Sequence, residues 1–174
     1  MSPDLDTSFY FTPRGLGRFA SRIAAARAAL KAVCDDNPAA RESGDSSVWH
    51  DNFAFEENQR LMLQFSRRIR ELEHVMERAC VVEPPLGPLS RAVIGARVTY
   101  VVEGERKPRV CEVVGYDEGD PATRRVAYDS PLGRALLGCR AGDVPELVLG
   151  SQSRGLEVLL VEAVRSEEVT CSAE

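Results

Sequence analysis

No stretch of this sequence approaches the roughly 20 consecutive apolar residues that a membrane-spanning helix needs, so no bilayer span is expected. Cysteine is sparse. Cys34, Cys80, Cys111, Cys139 and Cys171 are scattered, odd in number and nowhere spaced as CxxC. That argues against a zinc site and against a disulfide framework, and makes a reducing cytoplasm the expected compartment. Aromatic residues make up only 6% of the chain, with a single tryptophan and two histidines. Positive charge is also outweighed: 22 Lys and Arg against 27 Asp and Glu give a net charge of −5. A chain of this balance is poorly suited to grip nucleic-acid phosphates by itself across a broad cationic face, while action on a protein–nucleic acid machine stays open. The opening residues MSPDLDTSFYF have neither the basic nor the apolar region of a signal peptide. What remains is 174 residues, 44% hydrophobic and 28% charged, enough for one or two domains with a buried core.

Residues 1–11 read as a loose lead-in. Thr12-Pro13 reads as a helix start, because a threonine hydroxyl can accept from a free backbone N–H and proline at the first helical position has no N–H to waste. Beyond it Leu16, Phe19, Ile23, Ala26, Leu30 and Val33 recur at alternating steps of three and four, with Arg14, Arg18, Arg22, Arg27 and Lys31 off that seam. Asn37-Pro38 is expected to end the pattern, since the residue before proline avoids the helical region. The rhythm resumes with Phe55, Met62, Phe65, Ile69, Leu72, Met76 and Ala79, and Asn58 fills one slot of the second seam. Two amphipathic helices joined by a turn must pack antiparallel to bury their stripes. At 1.5 Å per residue they predict a rod of roughly 40 Å.

Between the two runs lies RESGDSSVWHDNFAFEENQ, residues 41–59, with Glu42, Asp45 and Asp51, then Glu56 and Glu57. A carboxylate cluster at a hairpin tip reads either as a solvated surface or as an acidic finger offered to a partner's metal.

The stretch VVEPPLGPLS, residues 81–90, cannot continue a helix and marks a boundary. Past it the composition turns β-branched. Strands are expected over 97–102 and 110–114, joined by a turn at Gly104–Lys107, then near 125–128, 147–149 and 156–164. Ser130-Pro131 opens a short helix that Gly138 stops. The division is therefore a helical hairpin over 1–82 with its tip at about 41–53, a linker at 83–90, a small antiparallel β domain with one short helix over 91–165, and a frayed tail at 166–174. The fold class is α+β.

These pieces resemble the Gre family of bacterial transcript-cleavage factors. Phe11-Thr12-Pro13-Arg14-Gly15 followed by Phe19 is similar to the family's T-P-x-G-x-x-x-L opening, and Gly44-Asp45 with Ala54, Glu57 and Gln59 resembles its tip. The most specific match is Asp129-Ser130-Pro131-Leu132-Gly133-Arg134-Ala135-Leu136-Leu137-Gly138 followed by Gly142-Asp143, similar to S-P-x-x-x-A-L-[LI]-G-x-x-x-G-D.

The resemblance implies an N-terminal antiparallel coiled coil and a C-terminal domain of FKBP-like fold. It implies a partner, RNA polymerase, entered through its secondary channel, with Asp129, Ser130 and Pro131 as the docking segment. Contact with nascent RNA would be indirect, and a monomer is expected. Tip carboxylates Asp45 and Asp51 would act in the polymerase's active centre, helping to hold a Mg²⁺ that belongs to the polymerase. The chain would have no metal or cofactor of its own and would not be an enzyme by itself. At the tip it departs from the family: Val48 stands where a second acid is usual, and Asp51 matches a secondary glutamate. Glu42 is a further candidate for the missing donor. The departure implies weak cleavage, or a homologue that modulates the polymerase without cleaving. The fold alone also admits a prolyl isomerase, but the β half offers only Tyr100, Tyr116 and Tyr128 to line a pocket. A structural coiled-coil adaptor is the third reading.

Overall fold

The structure, a computed structural model, describes residues 8–42 and 53–164. In chain order the elements are β1 (Phe9–Phe11), α1 (Pro13–Glu42), α2 (Phe53–Glu77), β2 (Ala79–Val81), β3 (Ala96–Val102), β4 (Arg109–Val114), β5 (Arg125–Ala127), α3 (Pro131–Leu136), β6 (Glu146–Leu149) and β7 (Gln152–Ala163). Among the described residues, Gly17–Ala79 form one compact unit. Phe9–Leu16 join the residues from Cys80 onward in the other.

α1 starts where the hydroxyl of Thr12 accepts from the Gly15 N–H at 3.0 Å and the Thr12 carbonyl accepts from Leu16 N–H at 2.9 Å. Alanines at 24–26, 28 and 29 favour the helix intrinsically. Burial follows the apolar spacing. Phe19 and Ile23 are buried on α1 and Ile69 and Leu72 on α2. Leu16, Ala26, Leu30, Val33, Asn58, Met62, Phe65 and Met76 are half-buried, whereas Arg18, Arg22, Lys31, Arg67, Arg68 and Arg70 face solvent. Arg27 of α1 reaches Glu73 of α2 at 2.6 Å, an exposed pair of small energetic weight. The expected stop at Asn37-Pro38 is not where α1 ends; the helix runs through it to Glu42. Proline inside a helix forfeits one ladder hydrogen bond and crowds the preceding turn, which weakens a helix without always terminating it.

In the second unit, five strands lie in the order β5-β4-β3-β7-β6. β3 alternates strictly, with Ala96, Val98, Tyr100 and Val102 buried and the residues between them half-exposed, as a strand with one core face must. Its neighbours β4 and β7 are antiparallel to it, with Val98 opposite both Cys111 and Val161. A register shift between Thr99 and Tyr100 leaves Leu159 and Leu160 both outward on β7. The core holds Val98, Val113, Leu136, Leu156 and Val158, all fully buried.

The expected antiparallel sheet is in fact mixed, because β5 runs parallel to β4, with Glu112 opposite Arg125 and Val114 opposite Ala127. No tight turn joins these strands. The segment 115–124 crosses over and re-enters through a small turn, where Asp120 and Arg125 exchange backbone hydrogen bonds of 2.8 and 2.9 Å. Asp120 closes that turn by accepting from the Thr123 hydroxyl at 2.8 Å and the Ala122 N–H at 3.0 Å, and these bonds hold its carboxyl below the usual range.

Residues 9–11 are likewise a strand and not a lead-in. β1 pairs with β2, and the Phe11 carbonyl accepts from Val82 N–H at 2.8 Å. Phe11 is wholly buried.

Candidate functional site

The segment Asp129-Ser130-Pro131 sits at the end of β5 and the start of α3. Ser130 is the cap of α3: its backbone is extended, and its hydroxyl accepts from Gly133 N–H at 3.0 Å while donating to the Ala127 carbonyl at 2.7 Å. Pro131 occupies the first helical turn and is exposed. Leu136 of α3 is fully buried and anchors the helix to the core. Gly138, with φ of +85°, ends the segment and donates to the Ala92 carbonyl at 2.7 Å. The sequence motif is thus a rigid strand-to-helix corner.

Beside this corner lies an open groove of about 350 Å³, lined by Tyr116, Asp117, Gly119, Ala127, Asp129 and Ser130. Two loops wall it, one after β4 and one after β5. The structure brings Asp129 and Ser130 together on its rim with a second carboxylate, Asp117, and an aromatic ring, Tyr116. Asp117 has a φ of +57°, an uncommon conformation for a residue with a side chain. The rim therefore offers negative charge beside an aromatic face, a chemistry suited to a basic, partly apolar protein surface.

Both walls are backed by the N-terminal strand. The Phe9 ring meets Tyr116 edge-on at 4.6 Å between centroids, and Phe11 meets it at 5.7 Å. Tyr10 meets Tyr128 edge-on at 5.7 Å and donates its N–H to the Tyr128 hydroxyl at 3.3 Å. Burial raises the Tyr128 hydroxyl above its usual range, the Tyr10 N–H opposing that shift and the Asp129 charge adding to it. The aromatic surroundings that the β half lacks by itself are supplied from residues 9–11.

Next to these rings Glu118 is buried, only 3% exposed. Its carboxylate accepts from Thr12 N–H at 2.8 Å and from the Thr12 hydroxyl at 2.7 Å. Arg125 lies 3.7 Å from Glu118 and 3.9 Å from Glu112, with its Nε buried and without a hydrogen-bond partner among the described residues. Gly15 and Gly115 both press against the Glu118 side chain, and a Cβ at either would strike the carboxylate. Neither Glu118 nor the Phe9–Phe11 strand stands out in the sequence. The paired glycines around a buried acid are the signal that points to them.

Asp45 and Asp51, with Val48, Trp49 and His50, lie outside the described residues. Among the described residues, no three His, Cys, Asp or Glu side chains converge as a metal site, and no helix is long and apolar enough to cross a membrane. On α2, Arg60 pairs with Glu57 at 2.8 Å and Arg68 approaches Glu71 at 3.5 Å, both exposed.

Residues 88–163 match the family model described as "Transcription elongation factor, GreA/GreB, C-term". The chain is 33% identical to a transcription elongation factor GreA of Sphingopyxis alaskensis over 150 residues, covering 86% of this chain and 92% of that one. It is 30% identical to a transcription elongation factor GreA of Rickettsia felis, over 91% of this chain and 96% of that one. Among solved structures it is similar to the GreA factor homolog 1 protein of Thermus thermophilus, at 23% identity, with 90% of this chain and 99% of that chain covered and a TM-score of 0.40.

Proposed function

The chain belongs to the GreA/GreB family of transcription elongation factors, and from that premise we propose that it enters the secondary channel of bacterial RNA polymerase and modulates cleavage of backtracked RNA. The factor is not itself an enzyme; the polymerase carries out the chemistry. In this reading α1 and α2 form an antiparallel coiled coil that carries Asp45 and Asp51 toward the catalytic Mg²⁺. The unit from Cys80 onward is an FKBP-like domain that docks at the channel rim, and the protein works as a cytoplasmic monomer.

The observation that carries the proposal is the corner at Asp129-Ser130-Pro131. The family motif is folded into a capped, glycine-terminated turn whose rim residues line an open groove. A side chain on such a corner meets a partner with little loss of conformational freedom.

At the tip, Mg²⁺ prefers hard oxygen donors and keeps several waters, so one or two added carboxylates suffice to hold a weakly bound second ion. When bound, that ion supplies an activated water and steadies developing charge. Asp45, after Gly44, is the main donor. Val48 removes the usual second acid, so Asp51 or Glu42 is left to assist. That substitution favours a second reading, in which the protein occupies the channel and slows nucleotide addition while cleaving weakly.

Transcript cleavage by a backtracked elongation complex, run with wild type, Asp45→Asn and Val48→Glu, separates the two. Cleavage that Asp45→Asn abolishes and Val48→Glu raises supports metal delivery. Slowed nucleotide addition that Asp45→Asn leaves unchanged supports occupation alone. Cleavage at the level of a full Gre factor, unaffected by Val48→Glu, means that Asp51 or Glu42 already provides the second donor.

A further inference from the structure

The loops that wall the groove come from residues 115–119 and 127–130, yet the element joining them lies more than a hundred positions earlier. The Tyr10–Tyr128 hydrogen bond spans 118 residues and the Thr12–Glu118 bonds span 106. Tyr10 holds both walls with its own backbone. Its carbonyl accepts from Tyr116 N–H at 2.7 Å on one side, and its N–H reaches the Tyr128 hydroxyl on the other. Tyr116 lines the groove directly, and Tyr128 immediately precedes Asp129. Two rings, Phe9 and Phe11, then fix the face of Tyr116. One turn further on, Thr12 spends both of its donors on Glu118, a residue of the first wall, and its hydroxyl oxygen still accepts from Gly15.

We propose that the segment Phe9–Thr12, locked by the Thr12–Glu118 pair, positions Tyr116 and Asp129 for partner docking, which makes Tyr10, Thr12, Glu118 and Tyr128 positioning residues of the groove. The physical basis is an arithmetic of freedom. The wall 115–119 contains two glycines and a residue at positive φ, so its own backbone defines it poorly. The Tyr10 carbonyl and the buried Glu118 carboxylate remove that freedom before the partner arrives, and a preorganised rim binds more tightly than one that must be ordered on contact. The same arrangement binds the docking groove to the segment from which α1 starts, so the groove is complete only when Phe9–Thr12 is in place.

The inference rests on reading Asp129-Ser130-Pro131 as the docking segment, and the experiment keeps the two apart. Binding of full-length protein to bacterial RNA polymerase core enzyme is measured for wild type, Asp129→Ala, Thr12→Val, Thr12→Ser and Tyr128→Phe, with hydrogen exchange followed at the Tyr116 amide and at the core amide of Val98. Thr12→Val removes the hydroxyl that donates to the buried Glu118 carboxylate at 2.7 Å, and about a tenfold loss of affinity is expected. Faster exchange at Tyr116 with Val98 still protected should accompany it, and Thr12→Ser should restore both. Tyr128→Phe keeps the ring and deletes the acceptor for the Tyr10 N–H, so it should show the same pattern if Thr12→Val fails to fold. Wild-type affinity in Thr12→Val and Tyr128→Phe beside a weakened Asp129→Ala overturns the positioning role and leaves the docking segment standing. Equal loss in Thr12→Ser and Thr12→Val also overturns it, since the hydroxyl would not be the determinant. Wild-type affinity in Asp129→Ala overturns the docking reading itself and this inference with it.

Discussion

Gly133 presses against Ala127: a methyl group on the Gly133 Cα would run into the Ala127 carbonyl oxygen and crowd the Tyr128 Cα. That carbonyl also accepts the Ser130 hydroxyl at 2.7 Å and the Ser130 N–H at 3.0 Å, so it cannot move aside cheaply. Gly133→Ala should therefore destabilise the protein by roughly 1–3 kcal/mol, because overpacking against backbone outweighs the helix-propensity gain of about 1 kcal/mol. A thermal melt of the variant checks this; a melting temperature at or above that of wild type would refute the close approach.

The seam of the helical unit makes a second prediction. Ile23 and Ile69 are both buried, at 6% and 8% exposure, in helices whose other faces are wet. Replacing either with alanine should cost on the order of 2–5 kcal/mol. Denaturant titration followed by helix signal reads the loss directly. Near-zero effects at both sites would mean that the buried stripes do not pack.

Docking is tested on the rim. Asp129 is half-buried beside the groove and Pro131 is exposed, so neither carries core packing. Asp129→Ala and Pro131→Ala should each weaken polymerase binding by roughly tenfold, the loss of one good interfacial contact of about 1.4 kcal/mol, while moving the melting temperature little. Competition binding with unaltered affinity for both variants removes the assignment.

The sheet carries an alkaline limit. Cys111 is buried against Val98, and burial pushes its thiol up to about 11. The unfolded thiol ionises at about pH 8.5, so above that pH the unfolded chain gains ionisation free energy that the folded chain is denied. This contribution to stability is whole below about pH 8.5 and is lost as pH rises toward the folded value, a change on the order of 3 kcal/mol. Cys111→Ala should be less stable at neutral pH and show a flatter stability profile between pH 8.5 and 11. An identical profile for the variant would dispose of the claim.

Most of the regular elements were legible because each rests on local periodicity. The three–four spacing of α1 and α2, the alternation of β3 and the Ser130-Pro131 start of α3 are written in neighbouring residues. The misses share a different cause. β1 is three residues long, its strand partner β2 lies some seventy residues on and its ring partners lie at 116 and 128, so nothing nearby marks it as structure. Glu118 sits in Asp117-Glu118-Gly119-Asp120, which reads as a wet turn until Thr12 is brought to it. The parallel pairing of β5 depends on a crossover that no pattern of alternation encodes. Of the candidate site, the corner at Asp129–Pro131 was readable from its capping chemistry, whereas the groove beside it depends on contacts between distant residues. Asp45 and Asp51 lie outside the described residues.

The bond between Thr12 and Glu118 also bears on the order in which the chain is made. Thr12 leaves the ribosome 106 residues ahead of its partner, so the first turn of α1 emerges without the carboxylate that completes its cap. Closing a flexible loop of that length costs on the order of 4 kcal/mol in chain entropy, less to the extent that α1 and α2 have already shortened the path. The helices can form early from local contacts, while the sheet unit must wait for residues 9–12 to meet residues 116–128. Until then Phe11, fully buried in the finished fold, lacks the Tyr116 ring that packs against it. In a nascent chain halted before residue 116, Phe9 and Phe11 should therefore be open to solvent labelling, and should become protected once Tyr116 has cleared the exit tunnel.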